Sequence, residues 1–293
     1  MGKTIKEALQ EAASYLRRQN IDGPKVEAEL LLAFSLGVER PYLYTHADAE
    51  LSSDGCKHFE GLCRRRANGE PLAYIRKEKE FMGLRFHVES GIFIPRPETE
   101  HLVEAVLHWV RTGKGKKEGE DLNILELGTG SGCIAVSLAF YLPRASFVAV
   151  DKDAKALKTA QYNSRRQNVG ARILFLQGHY FEALAALQGP KHFNIIVSNP
   201  PYIEKGIIPQ LSPEVQHEPY QALNGGTDGL DAYREIIMGA SDFLLPSGLL
   251  ALELGAGQAA DVIGIARRAG FVSAEVCHDY AGIERVLLLQ PGV

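Results

Sequence analysis

The sequence predicts an α/β protein: a seven-stranded, doubly wound, Rossmann-like sheet with an antiparallel edge strand, preceded by a small helical N-terminal domain and a β-hairpin linker. Three observations predict it. Beyond residue 121, short apolar runs alternate with helical stretches, the pattern of a parallel sheet covered on both faces. The last two runs are joined only by the polar loop Asp279 to Gly282, too short for a crossover helix, so they pair antiparallel at one edge. Roughly the first seventy residues carry helical spacing and no strand signal.

The elements follow in order. Ile5, Ala8, Leu9, Ala12 and Leu16 recur at helical spacing. A second helix runs from Pro24 to Leu36, with proline suited to its first turn and Gly37 placed to stop it. Ser52 or Ser53 opens a third, which carries Phe59 and Leu62 and ends near Gly69. Phe81, Leu84, Phe86 and Val88 suggest a hairpin bent at Met82-Gly83, followed by Ile92-Phe93-Ile94. Pro97 fits the first turn of a helix that continues through Leu102, Val106 and Trp109, and Thr112 to Asp121 reads as a polar loop. Strands then fit 122 to 127, 146 to 150, 172 to 176, 193 to 198, 248 to 254, 271 to 277 and 284 to 289, with helices between most of them.

A chain of 293 residues has room for two domains, each with its own core. Lysine and arginine total 32 against 36 acids, a net charge of −4 that supplies no global attraction to nucleic acid. The densest basic stretches, Arg64-Arg65-Arg66 and Lys114 to Lys117, read as a solvated helix face and a solvated linker. Cys56, Cys63, Cys133 and Cys277 form no CxxC pair and read as reduced structural thiols, and the nine histidines show no HxxxH spacing, so no metal site is expected. The amino terminus lacks an apolar signal region and misses the myristoylation pattern at Lys6, and no run is long enough to span a membrane; cytoplasm is the expectation.

Chemistry concentrates at the ends of three strands. Asn199-Pro200-Pro201-Tyr202 follows the apolar run Phe193 to Ser198. Residues before proline are pushed toward extended geometry, and proline lacks an N–H, so the corner is stiff and offers the Asn199 side-chain oxygen and the Pro200 carbonyl. Those oxygens suit a planar –NH2 group, with the Tyr202 ring to pack on its plane, which points to an amide or an aromatic amine. Glu126-Leu127-Gly128-Thr129-Gly130-Ser131-Gly132 ends the first sheet strand. Its glycines permit a tight turn and close approach of a ligand, and their spacing departs from the G-x-G-x-x-G of dinucleotide sites. Asp151 ends the next strand, where a carboxylate accepts both hydroxyls of a ribose or, alternatively, caps the helix beginning near Ala154.

Glycine turn, acid and Asn-Pro-Pro-Tyr together resemble the S-adenosylmethionine-dependent methyltransferases that act on amino nitrogens. Pro95-Arg96-Pro97-Glu98-Thr99-Glu100, the stretch from Glu218-Pro219 to Gly225-Gly226-Thr227-Asp228-Gly229-Leu230, and Asp279-Tyr280 with Glu284-Arg285-Val286 resemble the HemK/PrmC family over nearly the whole chain. That resemblance implies methyl transfer from S-adenosyl-L-methionine to the side-chain amide nitrogen of the glutamine in the Gly-Gly-Gln motif of class I peptide-chain release factors, with no membrane and no direct nucleic-acid partner. It implies a substrate-recognition domain at 1–75, a hairpin linker at 76–95 and a methyltransferase domain at 96–293. It further implies that Gly128, Thr129, Gly130, Ser131 and Gly132 wrap the methionine portion of the cofactor, that Asp151 binds its ribose, that Tyr180 lies beside its adenine, and that Asn199, bordering the cofactor, receives the glutamine with Pro200, Pro201 and Tyr202. The catalytic role falls to Asn199, Pro200 and Tyr202. His179 stands where many relatives carry an acid. On the residues alone, Pro95 to Glu100 is a helix start, Gly225-Gly226 a loop hinge and Glu284-Arg285 a solvated turn. Two other substrates fit the same corner: a glutamine of a ribosomal protein, and the amino group of adenine in DNA or RNA.

Overall fold

The computed structural model describes residues 2–113, 121–187 and 192–292. The chain divides into two compact units, Met1–Glu78 with Ser212–His217, and Lys79–Leu211 with Glu218–Val293.

The first unit contains α1 (Ile5–Arg18), α2 (Pro24–Leu36), α3 (Arg40–Thr45), α4 (Ser53–Ala67) and α5 (Leu72–Arg76). Thr4 and Glu7 close a capping box on α1, the Thr4 hydroxyl accepting the Glu7 N–H and the Glu7 carboxylate accepting the Thr4 N–H. Gly37 stops α2 in the left-handed region at φ 66, and Ser52 caps α4 through the Gly55 N–H. Leu16, Leu31, Leu32, Leu43, Phe59 and Leu62 make the core. The sequence does not announce α3 and α5: six and five residues are too few to display a repeat.

The reading of Arg64-Arg65-Arg66 as a solvated face is corrected. Arg65 pairs with Glu70, and Arg66 is buried, its guanidinium held by Glu27 at 2.8 Å and by Glu214. Three successive helical residues sweep about 200° around the axis, so one of them must turn inward. The basic stretch Lys114 to Lys117, and most of the loop expected over Thr112 to Asp121, lie outside the described residues.

The second unit begins within β1 (Glu78–Phe81), which forms a hairpin with β2 (Leu84–His87). Met82 and Gly83 both take positive φ, 52 and 70, at its two-residue turn. A 3-10 turn, Pro97–Thr99, then leads into α6 (Glu100–Arg111). The alternating region follows: β3 (Asn123–Leu127), α7 (Cys133–Tyr141), β4 (Ser146–Asp151), α8 (Ala154–Arg166), β5 (Ile173–Gln177) and β6 (Phe193–Ser198). After it come α9 (Pro213–Gln216), which belongs to the first unit and carries Glu214, then α10 (Tyr220–Leu223), α11 (Asp231–Ala240), β7 (Leu244–Glu253), α12 (Ala259–Arg268), β8 (Phe271–His278) and β9 (Glu284–Pro291).

Seven strands form one sheet in the order β5-β4-β3-β6-β7-β9-β8. The antiparallel pairing at one edge is as the short loop predicts, and the reversed strand is β9, seated one place in from the edge between β7 and β8. Alternate residues of each central strand feed opposite cores. Ile124, Ile195, Val197, Leu249 and Ala251 pack with α6, α7 and the hairpin, whereas Leu125, Leu127, Ile196, Leu250 and Leu252 pack with α11 and α12. Strand order reverses between β3 and β6, so the carboxyl ends of these two strands open a crevice. No helix among the described residues is long and apolar enough to cross a membrane.

Candidate active site

Three strand ends meet at this crevice. In the parallel ladder Leu127 pairs with Ser198 and with Val150, which places Gly128, Asn199 and Asp151 side by side as their strands end. The Ser198 hydroxyl donates to the Leu127 carbonyl at 2.7 Å and fixes the spacing.

The glycine turn is built from left-handed backbone: Gly128, Gly130 and Gly132 have φ of 74, 55 and 81. A side chain on Gly128 or Gly130 would meet nothing within 4 Å, so these two face open space where a ligand can lie against the backbone. Gly132 differs, since a Cβ there would lie 2.9 Å from that of Ala160, the contact that seats α8 against the turn. The N–H groups of Gly128 and Thr129 both donate to the Val150 carbonyl at 2.9 Å. Asn163, fully buried on α8, donates to the Ser131 carbonyl at 2.9 Å and the His87 carbonyl at 3.0 Å, and accepts the His87 N–H, tying the turn to β2.

Acids support the turn from two strands. Asp151 accepts the Gly130 N–H at 2.8 Å and the Asp153 N–H at 2.9 Å, and burial holds its carboxyl above the usual range. The helix cap falls instead to Asp153, which accepts the Lys155 N–H at 2.7 Å. Glu126 is fully buried; it accepts the Thr129 hydroxyl at 2.5 Å and the Ala135 N–H at 3.1 Å, the latter in the first turn of α7. Its other oxygen, Oε1, is buried without a partner among the described residues. Burial pushes the Glu126 carboxyl up to about 8, against the two hydrogen bonds that favour its charge.

Tyr180 follows Gly178, whose N–H donates to the Asp151 carbonyl at 3.0 Å, and its φ is positive at 41. Burial raises its phenol, with Glu235 and Asp151 adding to the shift. His179 lies against the Tyr180 ring, 4.4 Å between centroids, and its Nδ1 is 2.9 Å from a Glu235 oxygen.

The Asn199 corner is braced from several sides. Asn199 Nδ2 donates to the Thr99 hydroxyl at 3.1 Å. The Tyr202 carbonyl accepts Gln258 Nε2 at 3.0 Å, and burial pushes the Tyr202 phenol up to about 12. A Cβ on Gly225 would lie 2.8 Å from the Tyr202 Cα, and one on Gly255 would lie 2.9 Å from the Tyr202 ring. The stretch Gly225 to Leu230 is therefore packing against the corner, beyond the loop hinge its composition suggests.

The other two family segments also converge. Glu218 is buried, accepts the Ile94 N–H at 3.0 Å and is paired with Arg96, whose guanidinium also stands 5.0 Å from the Phe93 ring. Pro95 to Glu100 does start a helix, and in addition Glu100 accepts the Met82 N–H at 2.6 Å and Thr99 turns toward Asn199. Arg285 is largely buried and pairs with Asp279 at 3.0 Å, which corrects its reading as a solvated turn. Sequence reasoning misses Glu126, Asn163, Glu253 and Gln258. A lone acid in an apolar strand, as at Glu126 and Glu253, is the one signal available for two of them.

The strand order together with a match of residues 114–226 to the methyltransferase small domain defines the class: a methyltransferase built on the seven-stranded Rossmann-like sheet. A methyltransferase from Pyrococcus furiosus shares this fold with a TM-score of 0.52, at 18% identity, over 78% of this chain and 98% of that one. Residues 7–76 match the PrmC N-terminal domain. The release factor glutamine methyltransferase of Moorella thermoacetica is 42% identical over 97% of this chain and 98% of its own length, and that of Geobacter sulfurreducens 41% over 97% and 95%. The chain belongs to the release factor glutamine methyltransferase family.

Proposed function

We propose that this protein transfers the methyl group of S-adenosyl-L-methionine to the side-chain amide nitrogen of the Gly-Gly-Gln glutamine in class I peptide-chain release factors. The observation that carries the reading is the direction of the Asn199 amide: its nitrogen is engaged by Thr99, so its oxygen is the atom left for an incoming –NH2. The names and full-length similarity of the relatives support the substrate.

The residues fit the cofactor. Gly128 and Gly130 leave an open cradle in which a Cβ would stand, and Asp151 keeps lone pairs for ribose hydroxyls beyond the two backbone bonds it already accepts. The Glu126 carboxyl lies buried beneath the same turn, with its Oε1 unpartnered among the described residues. Thr129, Ser131 and Gly132 complete the turn, and Tyr180 borders the adenine. When bound, the cofactor supplies an electrophilic methyl group on a sulfonium.

An amide nitrogen is a weak nucleophile because its lone pair is delocalised into the carbonyl. The Asn199 side-chain oxygen and the Pro200 carbonyl accept its two hydrogens, hold it in place and favour the positive charge that grows on it. One well-placed hydrogen bond contributes about 3 kcal/mol and full orientation of two reactants about 7 to 11 kcal/mol. Pro201 keeps the corner stiff, and Tyr202 packs on the plane of the bound amide. The methylated cation then loses its proton to water without a strong base.

In this reading residues 1–75 recognise the protein substrate, 76–95 link, and 96–293 carry the transfer, in the cytoplasm. The test is incubation with methyl-labelled cofactor and, separately, a class I release factor, ribosomal protein and duplex DNA. Label on the release-factor glutamine is the expected result. Label on ribosomal protein or DNA alone overturns it.

A further inference from the structure

We propose that Thr99 and Glu253 are positioning residues behind Asn199: together they fix which way its side-chain amide faces, and Glu253 sets a negative charge behind the nitrogen being methylated. The inference rests on the functional reading above and deepens it.

Three elements bring the residues together. Thr99 ends the 3-10 turn before α6, Asn199 follows β6, and Glu253 ends β7. Ser198 pairs with Leu252, so Asn199 and Glu253 leave neighbouring strands side by side. Glu253 lies on the same sheet face as Ala251, the face that α6 covers. Thr99 and Glu253 are each 1% exposed.

The hydrogen bonds have a fixed direction. Asn199 Nδ2 donates to the Thr99 hydroxyl, which keeps its own proton for a second acceptor. The acid nearest to hand is Glu253, whose charged form both Thr99 and Asn199 favour. The Asn199 amide nitrogen is thereby directed inward, toward Thr99 and the side of Glu253. A flipped amide would set its oxygen against the Thr99 oxygen and a carboxylate, so the observed orientation is the one the network permits. The other carboxylate oxygen of Glu253, Oε2, is buried without a partner among the described residues.

The charged and titratable groups around Glu253 come from every neighbouring element: Arg285 on β9, Glu98 on the 3-10 turn, Tyr202 beyond β6, Tyr233 on α11 and Cys133 on α7. Burial pushes the Glu253 carboxyl up to about 7, opposed by Thr99, Arg285 and Asn199 and reinforced by Glu98. Its ionisation therefore falls within the working pH range.

Full-length Thr99→Val, Thr99→Ser and Glu253→Gln variants test the relay with methyl-labelled cofactor and a release factor. Thr99→Val should lower kcat by about tenfold or more, with KM for the release factor and calorimetric affinity for S-adenosylmethionine unchanged, and Thr99→Ser should restore most of it. The wild-type kcat should rise with pH through about 7 and Glu253→Gln should lose that limb. Wild-type kcat in Thr99→Val, no rescue by serine, or an unchanged limb in Glu253→Gln would each overturn the proposal. Solvent exchange of the Asn199 side-chain amide protons, followed by NMR, reads the relay without any substrate. Exchange should be at least about tenfold faster in Thr99→Val, and equal rates overturn the relay. A wild-type enzyme that fails to label the release factor refutes the substrate, while the exchange measurement still decides the relay.

Discussion

The Gly130 N–H donates to the Asp151 carboxylate at 2.8 Å, so the glycine turn of one strand and the acid of the next form a single hydrogen-bonded unit. A ligand bound by one is bound against a backbone held by the other.

Asp151→Asn tests that unit. It removes the charge and retains one acceptor, and hydrogen bonds to charged groups contribute about 1.5 to 3 kcal/mol. Affinity for S-adenosylmethionine, measured by calorimetry, should fall roughly 10- to 100-fold; unchanged affinity would remove Asp151 from the ribose site.

Asn199→Ala separates chemistry from cofactor binding. Loss of a preorganised acceptor should lower kcat by about 100- to 1,000-fold and leave cofactor affinity near wild type. Equal losses in the two measurements would make Asn199 scaffold.

Gly132→Ala should act on stability. The added methyl meets Ala160 at 2.9 Å, and the residue sits at φ 81. Left-handed strain and overpacking together cost about 2 to 4 kcal/mol. A drop in Tm of roughly 5 to 12 °C is expected, and a melt like that of wild type would show that α8 yields easily.

Glu126 gives stability a pH dependence of unusual sign for a carboxyl. Its folded value is raised from 4.5 to about 8, so the native state holds the proton where the unfolded chain has lost it. The contribution is full below 4.5 and is lost as pH rises from there through about 8. Urea denaturation at pH 5 and 8.5 should show a smaller loss in Glu126→Gln than in wild type; parallel losses would contradict the assignment.

Much of the fold was legible because its signals are local. Gly37, Ser52 and Met82-Gly83 mark a helix end, a helix start and a hairpin turn where the backbone demands them. The strand with β7 begins four residues earlier than its pattern suggests, at Leu244, because Pro246 and Gly248 read as a break. The corner at Asn199, the glycine turn and Asp151 were visible because each is a short motif at a strand end. Their supports were not. Thr99 meets Asn199 across 100 residues of chain, and Gln258 meets Tyr202 across 56, so no spacing rule announces them. Arg66 was hidden among three like residues, and only its partners Glu27 and Glu214 distinguish it.

That last pairing has a bearing on how such proteins can be recombined. Glu214 belongs with the helical unit yet is encoded some 130 residues after that unit's main segment ends, and Arg66 is 4% exposed at its side chain. A chimera that exchanges residues 1–78 between two relatives keeps one host's Pro213–Gln216 against the other's arginine. The transplantable module is therefore two pieces of chain, and a crossover placed at 78 alone divides it.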